Sequence, residues 1–269
     1  MPLEPHHGLS EQDISLLRRS GWIGTVEYHP TLGSTNDRAR ELAESHLTIL
    51  PALVIADEQT AGRGRGANRW WTGRGSLAFS LLLDPAAEGI QRKHCAQLSL
   101  LAALAIVDTV AELLPMATVG LHWPNDVFLN GRKVAGILAE ALSDGRHILG
   151  IGLNTNNSAQ EAPLELRHIA TTLSDQLGHF VDQVAVLDRL LEGLRHRCRE
   201  LSKTPEALGA AYNDRCLQRG SVLVLQHGSQ RIAGCCQGIA GDGALILDTA
   251  DGRQTFYAGF LIKDQQADL

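Results

Sequence analysis

Apolar residues recur at helical or alternating spacing through most of this chain, and polar, glycine-rich stretches separate them. Over 93–114 the apolar positions follow helical spacing, which predicts a long core helix that stops at Pro115. Short apolar runs at 53–56 and 76–83 are typical of buried strands. The polar loop between them, residues 58–75, is therefore held by a strand at each end.

Further elements are predicted on both sides of this core. Helices are expected at 9–20, 38–46, 183–201 and 205–214, and strands at 25–29, 119–122 and 147–153. Two extended runs around Asn130-Gly131, a dipeptide typical of tight hairpins, predict a strand pair over 127–140. Pairing across that turn brings residue 126 back toward residues 136–140.

The pattern changes after residue 219. Four short apolar runs separated by glycine turns follow, at 221–226, 230–238, 243–248 and 253–258. Several short strands in so short a segment suggest a small barrel or sandwich. We therefore predict two domains, 1–217 and 218–269.

Composition and charge restrict the classes of protein that fit. With 269 residues, 44% of them hydrophobic, the chain can bury a substantial core. Its net charge of −6 argues against a general nucleic-acid-binding surface, because the phosphate backbone usually requires a basic face. The four arginines within 63–74 therefore predict a local anion site.

Cysteine usage and apolar runs indicate the compartment. The five cysteines are Cys95, Cys198, Cys216, Cys235 and Cys236, an odd number without CxxC spacing. Because the adjacent pair cannot form an ordinary disulfide without strain, a reducing cytosol fits best. The first residues lack a secretory pattern, and the longest apolar run, 98–107, is too short to span a bilayer. We expect a cytoplasmic protein with no membrane segment.

The loop at 58–75 combines glycines, arginines and paired tryptophans. Glycine lets the backbone approach a ligand, arginine binds phosphate or carboxylate, and tryptophan supplies a flat apolar face, so we expect a ligand with a phosphate and a ring. Residues 62–67 fit the dinucleotide-binding spacing, but no helix of useful length follows, and no P-loop sequence occurs in the chain. A flexible arginine-glycine linker is the weaker interpretation, because the two tryptophans need burial.

Two other stretches carry polar groups whose role stays open at this point. Ser34-Thr35-Asn36 precedes a helix, where it either caps the helix or presents hydroxyl and amide groups to a ligand. Trp123-Pro124-Asn125-Asp126 is either a simple turn or places Asp126 to bind magnesium, an arginine or a lysine. Lys133 is either an ordinary surface charge or neutralises a phosphate or a developing oxyanion.

A serine hydrolase is a rival class, but no G-x-S-x-G elbow occurs, and the histidines show no metal-ligand spacing with cysteine.

Five motifs, in this order, resemble those of the biotin protein ligases, also called biotin-[acetyl-CoA-carboxylase] ligases. The matching residues are Gly33-Ser34-Thr35-Asn36, Glu58-Gln59-Thr60-Ala61-Gly62-Arg63-Gly64-Arg65, Trp123-Pro124-Asn125-Asp126, Gly131-Arg132-Lys133-Val134-Ala135-Gly136-Ile137-Leu138-Ala139-Glu140 and Gly150-Ile151-Gly152-Leu153-Asn154-Thr155-Asn156. The resemblance implies an α+β fold, in which a mixed sheet with packed helices forms a class II synthetase-like catalytic domain and a small SH3-like β-barrel follows. It also implies two steps: biotin and ATP, with Mg²⁺, form biotinyl-5′-AMP, and a lysine of the biotin carboxyl carrier protein domain of a carboxylase then accepts the biotin.

The resemblance carries roles over to individual residues. Catalytic roles are implied for Arg63, Lys133 and Asp126. Biotin binding is implied for Ser34, Thr35, Asn36, Gln59, Arg63, Gly64, Arg65, Lys133, Gly136 and Gly152. Nucleotide binding is implied for Arg63, Arg65, Trp70, Asn125 and Asn154. Metal ligands stay unassigned.

The sequence departs from the family's pattern at two places. His122 stands where the family usually has a lysine, which removes a positive charge at neutral pH. Ala67 and Asn68 stand where it commonly has glycine and arginine. A family-type N-terminal DNA-binding domain is missing, so we expect no DNA partner; a homodimer is left open. The rival functions are a lipoate or octanoate ligase or transferase and a catalytically weak biotin- or adenylate-binding protein.

Overall fold

A computed structural model describes residues 9–19 and 21–262. The helices are Glu11–Arg18 (α1), Thr35–Ala43 (α2), Leu98–Leu113 (α3), Leu173–Leu177 (α4), Gln183–Lys203 (α5) and Pro205–Arg215 (α6). The strands are Thr25–Leu32 (β1), Ala52–Gln59 (β2), Leu77–Leu83 (β3), Val119–His122 (β4), Asp126–Leu129 (β5), Arg132–Ala141 (β6), His147–Leu153 (β7), Val222–His227 (β8), Gln230–Ile239 (β9), Leu245–Thr249 (β10), Gly252–Phe256 (β11) and Phe260–Ile262 (β12). Residue 20, at the end of the predicted helix 9–20, and the first residues, predicted to lack a secretory pattern, lie outside the described part.

Seven strands form a mixed sheet in the order β1-β2-β3-β7-β6-β5-β4. Strands β1 and β2 are parallel, and the remaining neighbours are antiparallel. Alternate residues of β2 face opposite sides of the sheet, so that Leu53 and Ile55 join the main core while Ala52 and Val54 pack under α2. The mixed sheet with helices on its faces confirms the predicted α+β class.

The predicted core helix lies at the centre of the molecule. Eleven of the sixteen residues of α3 are buried, and α5 packs along it. The segment Arg92–Leu113 is long and apolar enough to cross a membrane by length and composition, but 67% of its apolar window is buried inside the protein. Its apolarity is therefore accounted for by packing in the core.

Strand β1 extends further than predicted. The sequence suggests an end at His29, before Pro30, but the strand continues to Leu32. Strand β1 lies at the edge of the sheet, so the missing N–H of Pro30 costs no hydrogen bond to a neighbouring strand on the open side of β1. Pairing with β2 resumes at Thr31.

The C-terminal segment forms a second sheet of five antiparallel strands, in the order β11-β10-β9-β8-β12. Four of these strands match the predicted ones within two residues, and β12 is additional. This sheet joins the first one closely: the Leu217 N–H donates to the Leu121 carbonyl at 3.0 Å, and the Trp123 Nε1–H donates to the Gly243 carbonyl at 3.2 Å. The boundary between 217 and 218 stays a prediction.

Candidate ligand-binding site

A cavity of about 250 Å³ opens where the loop at 58–75, the start of α2, strands β5 to β7 and residues 259–261 meet. Nearly all the site residues predicted from sequence line it: Ser34, Thr35, Asn36, Gln59, Arg63, Gly64, Arg65, Trp70, Asn125, Asp126, Lys133, Gly136 and Gly152. The exception is Asn154. The structure therefore brings together residues separated by more than one hundred positions in the chain.

The start of α2 forms a polar wall of the cavity. Ser34 occupies the N-cap position, yet its side chain makes no capping hydrogen bond within the described part of the chain. The Gln59 Oε1 instead accepts the Thr35 N–H at 2.8 Å and the Thr35 hydroxyl at 3.2 Å. Because a side chain from β2 satisfies the helix start, the Ser34 hydroxyl lines the cavity rather than capping the helix.

A buried serine holds this polar wall against the sheet. The Ser80 hydroxyl, fully buried on β3, contacts the Thr35 Oγ1 at 2.8 Å and the Asn36 Oδ1 at 2.6 Å. A Cβ atom at Gly150 would lie 2.0 Å from the Asn36 Oδ1, so glycine is needed where Asn36 crosses β7. Ser80 lies in an apolar strand without any motif of its own, so no sequence pattern singles it out.

Glu140, at the far end of β6, is the carboxylate that anchors the glycine-arginine loop. It accepts hydrogen bonds from the Asn36 Nδ2 at 2.7 Å and from the Arg63 Nη2 at 2.8 Å, and it pairs with the Arg40 Nη2 at 3.0 Å. Arg63 also pairs with Asp37 at 2.8 Å. Burial alone would raise the pKa of Glu140, but the bonds from Asn36 and Arg63 and the nearby positive charges outweigh burial and lower it.

We expect the Glu140→Gln variant to lose about 1–3 kcal/mol of unfolding free energy at neutral pH, since it loses hydrogen bonds between charged groups. The folded-state pKa of Glu140 lies below its ordinary 4.5, so its stabilisation is complete above 4.5 and is lost as the pH falls through the lower folded-state value. Urea unfolding across this pH range measures the difference. Glu112→Gln, which breaks a pair with the half-exposed Arg189, is the control and should change little. If the unfolding free energies of Glu140→Gln and wild type differed as much in acid as at neutral pH, this account would be contradicted.

A β-bulge brings the predicted lysine and aspartate together. Asp126 pairs with Gly136 across β5 and β6, but the register shifts by one residue after Val127, so that Phe128 pairs with Lys133. Residues directly opposite each other point to the same face, and the extra residue therefore moves Lys133 onto the face of Asp126. The Lys133 Nζ lies 2.7 Å from the Asp126 Oδ1. The sequence left magnesium, an arginine and a lysine as possible partners of Asp126, and in the structure Asp126 forms an ion pair with a lysine.

Trp70 lies on a floor made by two glycines. Gly136 and Gly152 are paired across β6 and β7. A Cβ atom at Gly152 would lie 2.2 Å from the Trp70 indole, and one at Gly136 would lie 3.0 Å from it. The Lys133 Nζ lies 5.6 Å from the centre of a Trp70 ring, within the range of a cation–π contact. The Trp70 Nε1–H is buried and has no hydrogen-bond partner in the part of the chain that the structure describes.

The second half of the loop folds into a small hairpin that touches the C-terminal sheet. The Gly64 N–H donates to the Asn68 carbonyl at 2.8 Å, and Gly66 has a positive φ of 66°. The Arg65 Nη1 donates to the Gly259 carbonyl at 2.7 Å, and its guanidinium lies 5.0 Å from the centre of the Phe260 ring. Burial lowers the pKa of Arg65, although the charge of Asp126 opposes that change. Arg65 therefore reaches the seam between the two sheets, whereas Arg63 reaches Glu140.

His122, one of the departures from the family pattern, also lines the cavity. Its ring stacks on Phe128 with centroids 4.5 Å apart. Its Nε2 lies 3.4 Å from the Nε2 of Gln218, whose Oε1 accepts the Trp123 N–H at 2.7 Å. Gln218, buried and missed by sequence analysis, thus ties the segment at 122–123 to the chain that enters the second sheet.

Asn154 is the predicted residue that the structure does not bring to the cavity. It is buried, its Nδ2 donates to the Thr171 carbonyl at 3.1 Å, and its Oδ1 accepts from the Asn157 Nδ2 at 3.1 Å. Its side chain thus joins β7 to the segment before α4. The predicted contact with adenine stays a prediction.

The chain is similar in sequence to two protein families and to proteins of known function. Residues 28–156 match the biotin/lipoate A/B protein ligase family, and residues 221–260 match the biotin protein ligase C terminal domain. A biotin–[acetyl-CoA-carboxylase] ligase of Mycobacterium tuberculosis is 36% identical, with 90% of each chain covered. The bifunctional ligase/repressor BirA of Bacillus subtilis is 34% identical over 93% of this chain and 78% of its own length.

The fold is also similar to a solved structure. A biotin protein ligase from Aquifex aeolicus in complex with biotin and ATP superimposes with a TM-score of 0.76 at 29% identity, covering 89% of this chain and 98% of its own. The two matched family regions carry the motifs that line the cavity and the five-stranded second sheet. On its motifs, its fold and these relatives, the chain belongs to the biotin protein ligase family.

Proposed function

We propose that the cavity joins biotin to ATP as biotinyl-5′-AMP and then transfers the biotin to a lysine of a biotin carboxyl carrier protein domain. The observation that carries this proposal is that hydroxyl and amide groups (Ser34, Thr35, Gln59) and cationic groups (Arg63, Arg65, Lys133) line one cavity. The chain is accordingly an AMP-forming biotin–[acetyl-CoA-carboxylase] ligase, like its relatives in Mycobacterium tuberculosis and Paracoccus denitrificans.

The first step brings two anions together. A carboxylate oxygen of biotin attacks the α-phosphorus, the bond from that phosphorus to the bridging oxygen breaks, and pyrophosphate leaves. Lys133 is fixed by Asp126 at the cavity wall, so its charge is in place before the substrates react. We assign the neutralisation of charge at this phosphate to Lys133, Arg63 and Arg65. We assign the hydrogen bonds to the polar ring of biotin to four other residues, Ser34, Thr35, Asn36 and Gln59.

In the second step the neutral acceptor amine attacks the carbonyl carbon of the adenylate, the bond to the phosphate oxygen breaks, AMP leaves, and the amine nitrogen gives up one proton to solvent. Asp126 is the first residue of β5, and Asn125 lies in the turn between β4 and β5; both are on the cavity wall. The Asn125 Nδ2 donates to the Ile137 carbonyl at 2.7 Å, which fixes this wall against β6. We assign Asp126 to orienting Lys133 through both steps.

Magnesium fits this site as a companion of the phosphates. Within residues 9–19 and 21–262, no group of three His, Cys, Asp or Glu side chains is close enough to hold a metal ion. Mg²⁺ in nucleotide sites is usually held by one or two carboxylates together with the phosphates, and Asp126 is the carboxylate that lines the cavity. When bound, the ion supplies positive charge to the phosphates.

The function is tested by incubating the protein with ATP, Mg²⁺, labelled biotin and an apo carrier domain. We expect labelled adenylate and pyrophosphate without the carrier and labelled carrier when it is added. Labelled lipoate and octanoate are the controls, since the matched family also includes lipoate ligases. Absence of both labelled products with biotin, or transfer of lipoate or octanoate in its place, would contradict the proposal.

The remaining features are proposals of the same kind. We infer a catalytic unit at 1–217 and an SH3-like unit at 218–269, a cytoplasmic location, and action on the carrier domain without DNA or membrane as partners. A homodimer is left open. Size-exclusion chromatography with light scattering, with and without biotin and ATP, decides the assembly.

A further inference from the structure

The second sheet supplies one wall of the ligand-binding cavity. Gly259, Phe260 and Leu261 line it, although Gly259 lies 194 positions after Arg65 in the chain. The side chain of Phe260 is large and apolar, yet 49% of its surface is exposed. The motifs of the family resemblance do not include these three residues, and the proposed function gives them no role.

The part of the glycine-arginine loop that meets this wall is a closed hairpin. Arg63 and Arg69 form an antiparallel bridge at its base. The Asn68 N–H donates to the Arg65 carbonyl at 3.3 Å, which closes the turn at the tip. Because these bonds tie the two arms together, the segment 63–69 moves as one unit, with Arg65 beside its tip.

The tip of the hairpin rests on Phe260 and on the Gly259 carbonyl. The Arg65 guanidinium lies 5.0 Å from the centre of the Phe260 ring, and its Nη1 donates to the Gly259 carbonyl at 2.7 Å. A Cβ atom at Gly66 would lie 3.2 Å from the same ring, so the backbone of the tip also packs closely on it. An aromatic face and a carbonyl oxygen both attract a cation. Since a guanidinium carries five N–H donors, the bond to Gly259 leaves others for a phosphate.

Both partners of Arg65 are held in place by the second sheet. Phe260 and Leu261 pair with Gln226 and Leu225 across β12 and β8. A Cβ atom at Gly259 would lie 2.5 Å from the Leu225 side chain, so the backbone there is packed directly against β8. Hydrogen bonds between the two sheets fix this frame relative to the cavity. The loop therefore closes against a rigid support.

We propose that Phe260 and the Gly259 carbonyl form a latch, which holds the glycine-arginine loop closed over biotinyl-5′-AMP through Arg65. The inference rests on the proposed function, because the adenylate has to stay in the cavity until the acceptor lysine arrives. Opening of the loop breaks both contacts of Arg65, so the latch slows the release of the adenylate. Phe260 is thus a positioning residue, and it acts on the ligand through Arg65.

The release of bound biotinyl-5′-AMP measures the latch. The labelled adenylate is synthesised, bound to each protein and chased with an excess of unlabelled adenylate. Phe260→Leu keeps an apolar side chain but loses the aromatic face, and we expect release about two- to fivefold faster than in wild type, the range of one cation–π contact. Phe260→Tyr keeps that face and should restore the wild-type rate. Tyr257→Leu removes an exposed aromatic ring of the same sheet that is not among the described residues of the cavity, and it should release at the wild-type rate.

A double mutant separates the latch from a direct contact between Phe260 and the ligand. In the Arg65→Ala background the cation is already absent, so Phe260→Leu should add no further acceleration. An acceleration as large as in the wild-type background would show that Phe260 acts without Arg65 and would overturn the latch. Equal release from Phe260→Leu and wild type would overturn it as well.

Tryptic cleavage of the ligand-free protein gives a measurement that does not depend on the proposed function. Arg69 is an exposed arginine of the hairpin, and Arg74 is an exposed arginine outside it. We expect cleavage after Arg69 to be severalfold faster in Phe260→Leu than in wild type or Tyr257→Leu, and cleavage after Arg74 to be alike in all three. If wild type makes no biotinyl-5′-AMP from biotin and ATP, the proposed function fails and the cleavage rates decide whether the hairpin is latched. Equal cleavage after Arg69 in Phe260→Leu and wild type would then refute the latch.

Discussion

Replacement of Lys133 by alanine is expected to slow adenylate formation by about 10²- to 10³-fold, the usual cost of removing one preorganised group that stabilises transition-state charge. Lys133 lines the cavity and is held 2.7 Å from Asp126, so its charge is fixed in place rather than free in solvent. Without it, the attack of a carboxylate on a phosphate proceeds with less neutralisation. Pyrophosphate release in single-turnover assays with saturating biotin and ATP measures the effect.

Arg132→Ala is the matched control for this variant. Arg132 is the neighbouring cation on β6 but is not a cavity residue among those the structure describes. We expect its adenylation rate to stay close to that of wild type. Urea unfolding of both variants separates a loss of catalysis from a loss of fold. If Lys133→Ala released pyrophosphate at the wild-type rate, Lys133 would lose its proposed role.

The residues of the cavity could be predicted from sequence because they lie in short local motifs that together resemble those of a known family. The glycine-arginine loop, the polar start of α2 and the hairpin with Lys133 each have a recognisable residue pattern, and the structure places them on one cavity. The strands flanking the loop follow from simple apolar runs. These features depend on neighbours within about ten residues, which is the range over which sequence patterns are informative.

The supports of the site could not be predicted because they depend on long-range packing. Ser80 is one polar residue in an apolar strand, and its partners Thr35 and Asn36 lie more than forty residues earlier. The bulge that turns Lys133 toward Asp126 adds one residue, and simple alternation cannot reveal such a shift. Strand β12, with three residues, is too short to show alternation, yet it brings Phe260 to Arg65.

A methyl group at Gly152 is expected to weaken biotin binding by about 10- to 100-fold. Overpacking of a well-packed site costs about 1–3 kcal/mol, and 1.4 kcal/mol corresponds to a factor of ten in affinity. The Cβ atom in Gly152→Ala would lie 2.2 Å from the Trp70 indole, so the ring must leave its present place on the glycine floor. The backbone at Gly152 is ordinary for alanine, because the positive-φ glycines of the described chain do not include it.

The same substitution at Gly136, which pairs with Gly152 on the neighbouring strand, should have a smaller effect on biotin affinity. In Gly136→Ala the nearest Trp70 atom would be 3.0 Å away, which a small movement of the ring relieves, so we expect a loss below about tenfold. Gly241→Ala is the control, since a Cβ atom there meets no atom within 4 Å. Calorimetric titration with biotin gives the affinities, and Trp fluorescence of the free proteins reports the displaced indole. The two distances to Trp70 predict that affinity falls in the order wild type, Gly136→Ala, Gly152→Ala, and in Gly136→Ala the new Cβ atom also lies 3.3 Å from the Lys133 Nζ. Equal affinities in all three would mean that biotin binds away from the floor on which Trp70 lies.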